Sequence, residues 1–352
     1  MKRFSLIMAV CLAVSCSETA GTDYPKWRWQ DKEPEPVEIV ENNPSVASKG
    51  WTNITADYAG LPDGLAIYRS PEQLQGVNAV AYIAVADIAK IDWDVRSIDD
   101  PGLLGTTDEL RTPSQFYGES PAPVMINGGF FYAEGGKRYN ASVAVSGGRT
   151  YGVNINYASQ DWETMYYPTR GVFCLIADNY VAGWTYYVNA NQHYFYNQPA
   201  QNSWDAEPLQ QPGANFPDEY AVDFTPETAI GGGPVLLKGG EVQNTYKEEL
   251  FDGPTGILCD SRHPRTAIGI SSADGPRLVL FVCEGRNMTE GVPGFTTEEV
   301  ALILKDLGCV EALNLDGGGS SCMIINNQET IKPSDGAQRA VASVVLLKAK
   351  SN

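Results

Sequence analysis

Residues 265–325 read RTAIGISSADGPRLVLFVCEGRNMTEGVPGFTTEEVALILKDLGCVEALNLDGGGSSCMII, and this stretch decides the fold. Two apolar runs, Arg265–Ser271 and Arg277–Cys283, flank Ala273-Asp274-Gly275-Pro276, a turn sequence that predicts a β-hairpin. Thr296 with Glu299 three residues later is a capping box, and Val300, Ile303, Leu304 and Leu307 mark one helical face. Gly308 is a natural helix stop. Residues 310–315 and 321–325 then read as strands around the tight turn Asp316-Gly317-Gly318-Gly319-Ser320, and residues 340–347 as a closing core strand.

The order strand, helix, strand predicts that 277–283 and 310–315 run parallel. Glu284 and Asp316 then lie just past the carboxyl ends, on one sheet edge, within roughly 5–10 Å of each other. The hairpin brings Arg265 opposite Glu284, with His263 just outside that pair. One edge therefore collects two acids and several cations.

Each motif at that edge has a functional and a structural reading. The amides of Gly317, Gly318 and Gly319 with the hydroxyls of Ser320 and Ser321 suit an anion, or they form an ordinary turn. No Lys follows the glycines, so this is not a nucleotide-hydrolysing phosphate loop. Glu284 ends a very apolar strand, where desolvation favours general-acid work; the alternative is a surface pair with Arg286. Arg339 offers a bidentate fork for phosphate, or a solubilising charge beside a strand. Asn127-Gly128-Gly129 follows another strand, with an amide suited to a sugar hydroxyl or to a turn. Trp184, Tyr186, Tyr187, Tyr194, Phe195 and Tyr196 suit stacking on sugars but more often pack in cores. His193 reads as a loop residue without a catalytic role.

The rest of the chain sets bounds. Of 352 residues, 43% are hydrophobic, which excludes global disorder. The net charge of −18 argues against a nucleic-acid binder. Two histidines nearly exclude a multi-histidine metal site. Lys2 and Arg3 before the apolar run 4–14, then Leu12-Ala13-Val14-Ser15-Cys16, resemble a lipoprotein signal with Cys16 as the lipidated residue. Cleavage there removes two cations and makes the chain more acidic still. Residues 17–50 are rich in Glu, Pro and Asn and read as a tether. Cys174, Cys259, Cys283, Cys309 and Cys322 are expected to be buried thiols. The organisation expected is a signal peptide (1–15), a tether (16–58) and one large domain (59–352). Its class is α+β, a mixed sheet core with flanking helices and a C-terminal ββαββ segment carrying the site.

MINGGFF (125–131), IGGGPVLL (230–237), RHPRTAIGI (262–270), EGR (284–286), NLDGGGSSCMI (314–324) and RAVASVVLL (339–347) occur together and in this order. In this the chain resembles the phosphodiester glycosidases, relatives of the N-acetylglucosamine-1-phosphodiester α-N-acetylglucosaminidase that uncovers mannose 6-phosphate. Many members have Asp where this chain has Glu284. The resemblance implies hydrolysis of a sugar 1-phosphodiester with release of the sugar. Asp316 and Glu284 would share acid–base or nucleophile roles. Arg265, Arg286 and Arg339, with Gly317, Gly318, Ser320 and Ser321, would hold the phosphate. Asn127, Gly128, Asn314 and His263 would contact the substrate. No cofactor and no metal are expected, with Ca²⁺ left open. The expected partner is a phosphorylated sugar or glycan, and the membrane is met only through the lipid, in the outer membrane of a Gram-negative cell envelope. Two other readings stay open: capture of a phosphorylated glycan without cleavage, and hydrolysis of a non-phosphorylated glycan.

Overall fold

A computed structural model describes residues 41–98, 106–107, 109–219, 221–253 and 255–350. The signal sequence and Cys16 lie outside the described residues. From Glu41 onward the chain clusters as one unit. Residues 41–58, expected as tether, are part of it. The strand Thr52–Asn53 pairs with Leu65–Arg69, and Val46 and Trp51 are buried against the sheet. Ile54 and Tyr58 pack on the main core as well, so four apolar side chains dock the segment.

Three large sheets dominate, and helices are few and short. Of the α+β expectation the sheet core stands, while the helices flanking it are fewer than expected and the fold is mostly β. An eight-stranded sheet holds Leu65–Arg69, Ala81–Asp87, Arg277–Cys283, Arg265–Ser271, Cys309–Asn314 and Val235–Lys238 as its inner strands, in that order. A seven-stranded sheet is built around Thr228–Gly231, Arg170–Ile176 and Asn179–Asn189, and a five-stranded sheet around Val124–Asn127, Ser343–Ala349 and Ile91–Ser97. The main core forms where these sheets meet, with Trp93, Val124, Phe173, Ile268, Leu313 and Val345 among its members. The five described cysteines are buried and unpaired. His193 is not in a loop but on the strand Gln192–Tyr196, and burial pushes its imidazole down to about 4.

The helix Thr297–Asp306 forms as its sequence requires. Thr296 Oγ1 accepts from the Glu299 amide at 3.1 Å, and the Glu299 carboxylate accepts from the Thr296 amide at 2.9 Å. Val300, Ile303 and Leu304 face the sheet and pack on Ala267, Val279 and Phe281. Gly308 ends the helix with φ +78°. The strands on either side of it, Arg277–Cys283 and Cys309–Asn314, both pair antiparallel with Arg265–Ser271 between them. They therefore run parallel, once removed, as the connectivity requires.

Two expectations shift. The hairpin closes at Ser271 and Arg277, so Arg265 faces Cys283 and not Glu284. A five-residue turn moves the register by one, and a one-residue slip turns a side chain to the other face. The second concerns the stretch after Asp316, which is not a hairpin turn. Its flanking strands, Cys309–Asn314 and Met323–Ile325, belong to different sheets. The other two glycine motifs do the same work. Gly232 and Gly233 carry the chain from the seven- to the eight-stranded sheet, and Gly128 and Gly129 carry it out of the five-stranded sheet.

Candidate active site

The three crossings converge on a cavity of about 640 Å³. Its floor includes Asp316, Gly317, Gly318, Gly319 and Gly232, and its walls include Phe130, Phe251, Trp204, Arg170 and Asn154. Gly318 has φ +59°, and a Cβ at Gly319 would collide with Arg339 and Asp335. Only a chain without side chains brings the backbone this close to two charged groups.

Asp316 is the acid of this lining. Burial pushes its carboxyl up to about 6, against the opposing pull of Ser320, Arg339, the Gly317 amide and Arg265. Arg339 donates to Ser320 Oγ at 3.3 Å and to Asp335 at 2.8 and 2.6 Å. Arg286, set by left-handed backbone at φ +56°, donates to Ser334 Oγ at 3.2 Å and lies 3.7 Å from the other Asp335 oxygen. One carboxylate thus aligns two guanidinium groups over the glycine loop, and both remain partly exposed to the cavity.

The remaining sequence-predicted residues fall in other places. Arg265 lines the cavity but is spent as a strut. Its guanidinium donates to the carbonyls of Phe295, Ile257, Leu258 and Ser261 at 2.6–3.1 Å. It contributes positive charge more than a free fork. His263 also lines the cavity, and burial with Arg265 and Arg286 nearby holds its imidazole below the usual range. Asn127 is fully buried beneath the loop. Its amide donates to the Asp316 and Gly128 carbonyls, and its oxygen accepts from Thr266 Oγ1 and the Cys322 amide. Asn314 donates to the Gly233 and Leu315 carbonyls at 2.8 and 2.9 Å. Both amides satisfy backbone groups freed where strands leave their sheets, which takes them away from a sugar. Gly128 packs against Ser343, and Ser321 is buried.

Glu284 lies outside the cavity lining. The register change turns its buried carboxylate to the Lys332 amide, which it accepts at 3.0 Å. This anchors the segment that carries Ser334 and Asp335. The aromatic residues Trp184, Tyr186, Phe195 and Tyr196 are core, not cavity.

Arg170, Glu249 and Asp335 were not singled out by their sequence. Arg170 stands 4.2 Å over the Phe251 ring and donates to the Glu249 carbonyl. The Glu249 carboxylate, pushed up to about 7 by burial, accepts from Thr245, Trp184 and the amides of Val235 and Gly171. No motif announces these partners, which are far apart in the chain. Asp335 had a weak signal, an acid four residues before Arg339. Among the described residues, no group of three or more His, Cys, Asp or Glu side chains converges as a metal site.

The loop that carries Asp316 falls within residues 120–348, which match the sequence model of one family, phosphodiester glycosidase. The chain belongs to the phosphodiester glycosidase family. A curated relative, the SPbeta prophage-derived uncharacterized protein YomE of Bacillus subtilis (strain 168), is 36% identical over 86 residues. That match spans 24% of this chain and 13% of the relative's length. The zebrafish N-acetylglucosamine-1-phosphodiester alpha-N-acetylglucosaminidase catalytic domain, auto-inhibited by its pro-peptide, superposes with a TM-score of 0.53 at 19% identity. It covers 83% of this chain and 86% of that one. A hypothetical protein from Synechocystis gives 0.53 at 16% identity, over 85% and 68% of the two chains. Both share the fold.

Proposed function

We propose that this phosphodiester glycosidase hydrolyses a sugar 1-phosphodiester, such as an N-acetylglucosamine-1-phosphodiester, releasing the free sugar. The observation that carries the reading is a carboxyl held near pH 6, Asp316, in one cavity with the aligned guanidinium groups of Arg286 and Arg339. The anomeric carbon–oxygen bond breaks, and the phosphate leaves with the electron pair. Water adds to the anomeric carbon and passes its proton to Asp316. A phosphate monoester is a good leaving group once its charge is neutralised, so the arginines take the place of a second carboxylic acid. Glu284 then acts as a positioning residue for the Asp335 segment. The Ser320 hydroxyl and the Gly317 amide are turned to the Asp316 carboxylate, and the Gly318 amide donates to the Pro264 carbonyl at 2.8 Å, so the departing oxygens are left to the arginines.

The test is release of reducing sugar from the methyl diester of N-acetylglucosamine 1-phosphate, with and without a chelator. Release in both arms supports the reading, and loss with the chelator adds a cation such as Ca²⁺. Tight binding without release would make the chain a capture protein, and release from a simple aryl glycoside alone would remove the phosphate from the reaction. The N-terminal sequence supports an exported protein held in the outer membrane through lipid on Cys16; Cys16→Ser should abolish labelling by radioactive palmitate.

A further inference from the structure

Arg170 is a cation that the proposed reaction leaves unused. It begins the strand Arg170–Ile176 and is only 8% exposed, yet it lines the same cavity as Asp316. Its backbone is braced. The Asn154 amide donates to the Arg170 and Gly171 carbonyls, both at 3.2 Å, and to Thr185 Oγ1 at 2.9 Å. One face of the guanidinium lies on the Phe251 ring, and one nitrogen donates to the Glu249 carbonyl. Among the described residues it makes no other hydrogen bond and no ion pair. Its remaining donors are not sealed inside the protein, so the space they open to is the cavity.

Glu249 does not neutralise this charge. Its Oε1 accepts from Thr245 Oγ1, the Val235 amide and Trp184 Nε1 at 2.7, 2.9 and 3.2 Å, and its Oε2 from the Gly171 amide at 2.7 Å. Burial pushes the carboxyl up to about 7, so near neutral pH it is protonated roughly half the time. Desolvation pushes the Arg170 guanidinium down only to about 10, so it stays charged. A buried charge without a partner is costly, and an arriving anion recovers that cost. A neutral carbonyl would accept a hydrogen bond there but leave the charge uncompensated. A carboxylate instead matches the free edge of the planar guanidinium with two parallel hydrogen bonds.

Depth separates this cation from the other two. The side chains of Arg286 and Arg339 are 43% and 38% exposed and take the phosphate on the open side, whereas Arg170 is nearly sealed in the wall. A diester with its phosphate on the outer pair and its anomeric carbon at Asp316 turns the rest of its sugar toward Arg170.

We infer that Arg170 reads a carboxylate on the released sugar, so that the preferred substrate is the 1-phosphodiester of a uronic acid. This rests on the proposed reaction. The probes are the methyl diesters of glucuronic acid 1-phosphate, glucose 1-phosphate and N-acetylglucosamine 1-phosphate, the first two alike except for the carboxylate. The wild type should show a KM for the glucuronic acid diester about 10–100-fold below the other two, as charged hydrogen bonds provide. Arg170→Gln, which keeps an amide donor and removes the charge, should erase that difference. Equal KM values for the glucuronic acid and glucose diesters in the wild type would overturn the inference, whether or not the variant folds. An N-acetylglucosamine diester bound as well as the glucuronic acid one would overturn it too, since a neutral carbonyl would then suffice. Binding supplies a readout without turnover: free glucuronate should raise the Tm of the wild type more than glucose does, and not that of Arg170→Gln. If no probe is cleaved but this difference in Tm appears, the reaction fails and the carboxylate site stands. Equal shifts from glucuronate and glucose sink the site.

Discussion

Asp316 combines two properties that pull against each other. Its carboxyl is useful because burial holds it near pH 6, and that same burial makes its charge costly. Activity should rise with pH through about 6, as the group becomes the base that accepts the water proton. Asp316→Asn should lower kcat by about 10²–10⁴-fold in the diester assay. Stability moves the other way. A carboxyl raised in the folded state contributes stability below its unfolded pKa, and loses it as pH climbs through the folded value. Asp316→Asn should therefore raise stability at pH 7.5, on the order of 2 kcal/mol, and not at pH 3.5, as calorimetry at the two pH values would read. Glu284→Gln keeps an oxygen for the Lys332 amide and should leave the pH midpoint in place and kcat within about tenfold. A collapse equal to that of Asp316→Asn would return Glu284 to the chemistry.

Among the elements, the helix Thr297–Asp306 was legible down to its caps, because capping, periodicity and the stop signal are local. Thr296→Ala should cost about 1 kcal/mol in urea unfolding. The glycine motifs were legible as bends but not as crossings between sheets, since a bend's destination depends on strands distant in the chain. Asn127 shows what the crossing requires. Its side chain ties the strand Val124–Asn127 to Thr266 in the eight-stranded sheet and to the Asp316 loop. Asn127→Ala orphans several buried groups at once and should destabilise by about 2–4 kcal/mol, read by the shift of the urea midpoint. It should also lower activity through the loop, with the pH midpoint retained.

At the scale of the whole molecule, the domain begins earlier than its composition suggests. Removing residues 1–40 leaves the unit from Glu41 intact, whereas removing 1–58 strips Val46 and Trp51 from the sheet. The shorter truncation should melt with the full chain, and the longer one should lose about 3–5 kcal/mol, as expected for deleting a buried Trp. Sequence alone determined the hairpin, the capped helix, the parallel relation of its flanking strands, the family and the placing of Asp316 on a glycine loop. All of these rest on neighbours in the chain or on the resemblance of its motifs, in their order, to one family. Tertiary structure decided the one-residue register that turns Glu284 away, the use of Asn127 and Asn314 by backbone, and the pairing of Arg286 with Arg339 through Asp335. It also decided the burial of Arg170 and Glu249. Those outcomes depend on which sheets meet, and long-range packing settles that where local propensity is silent.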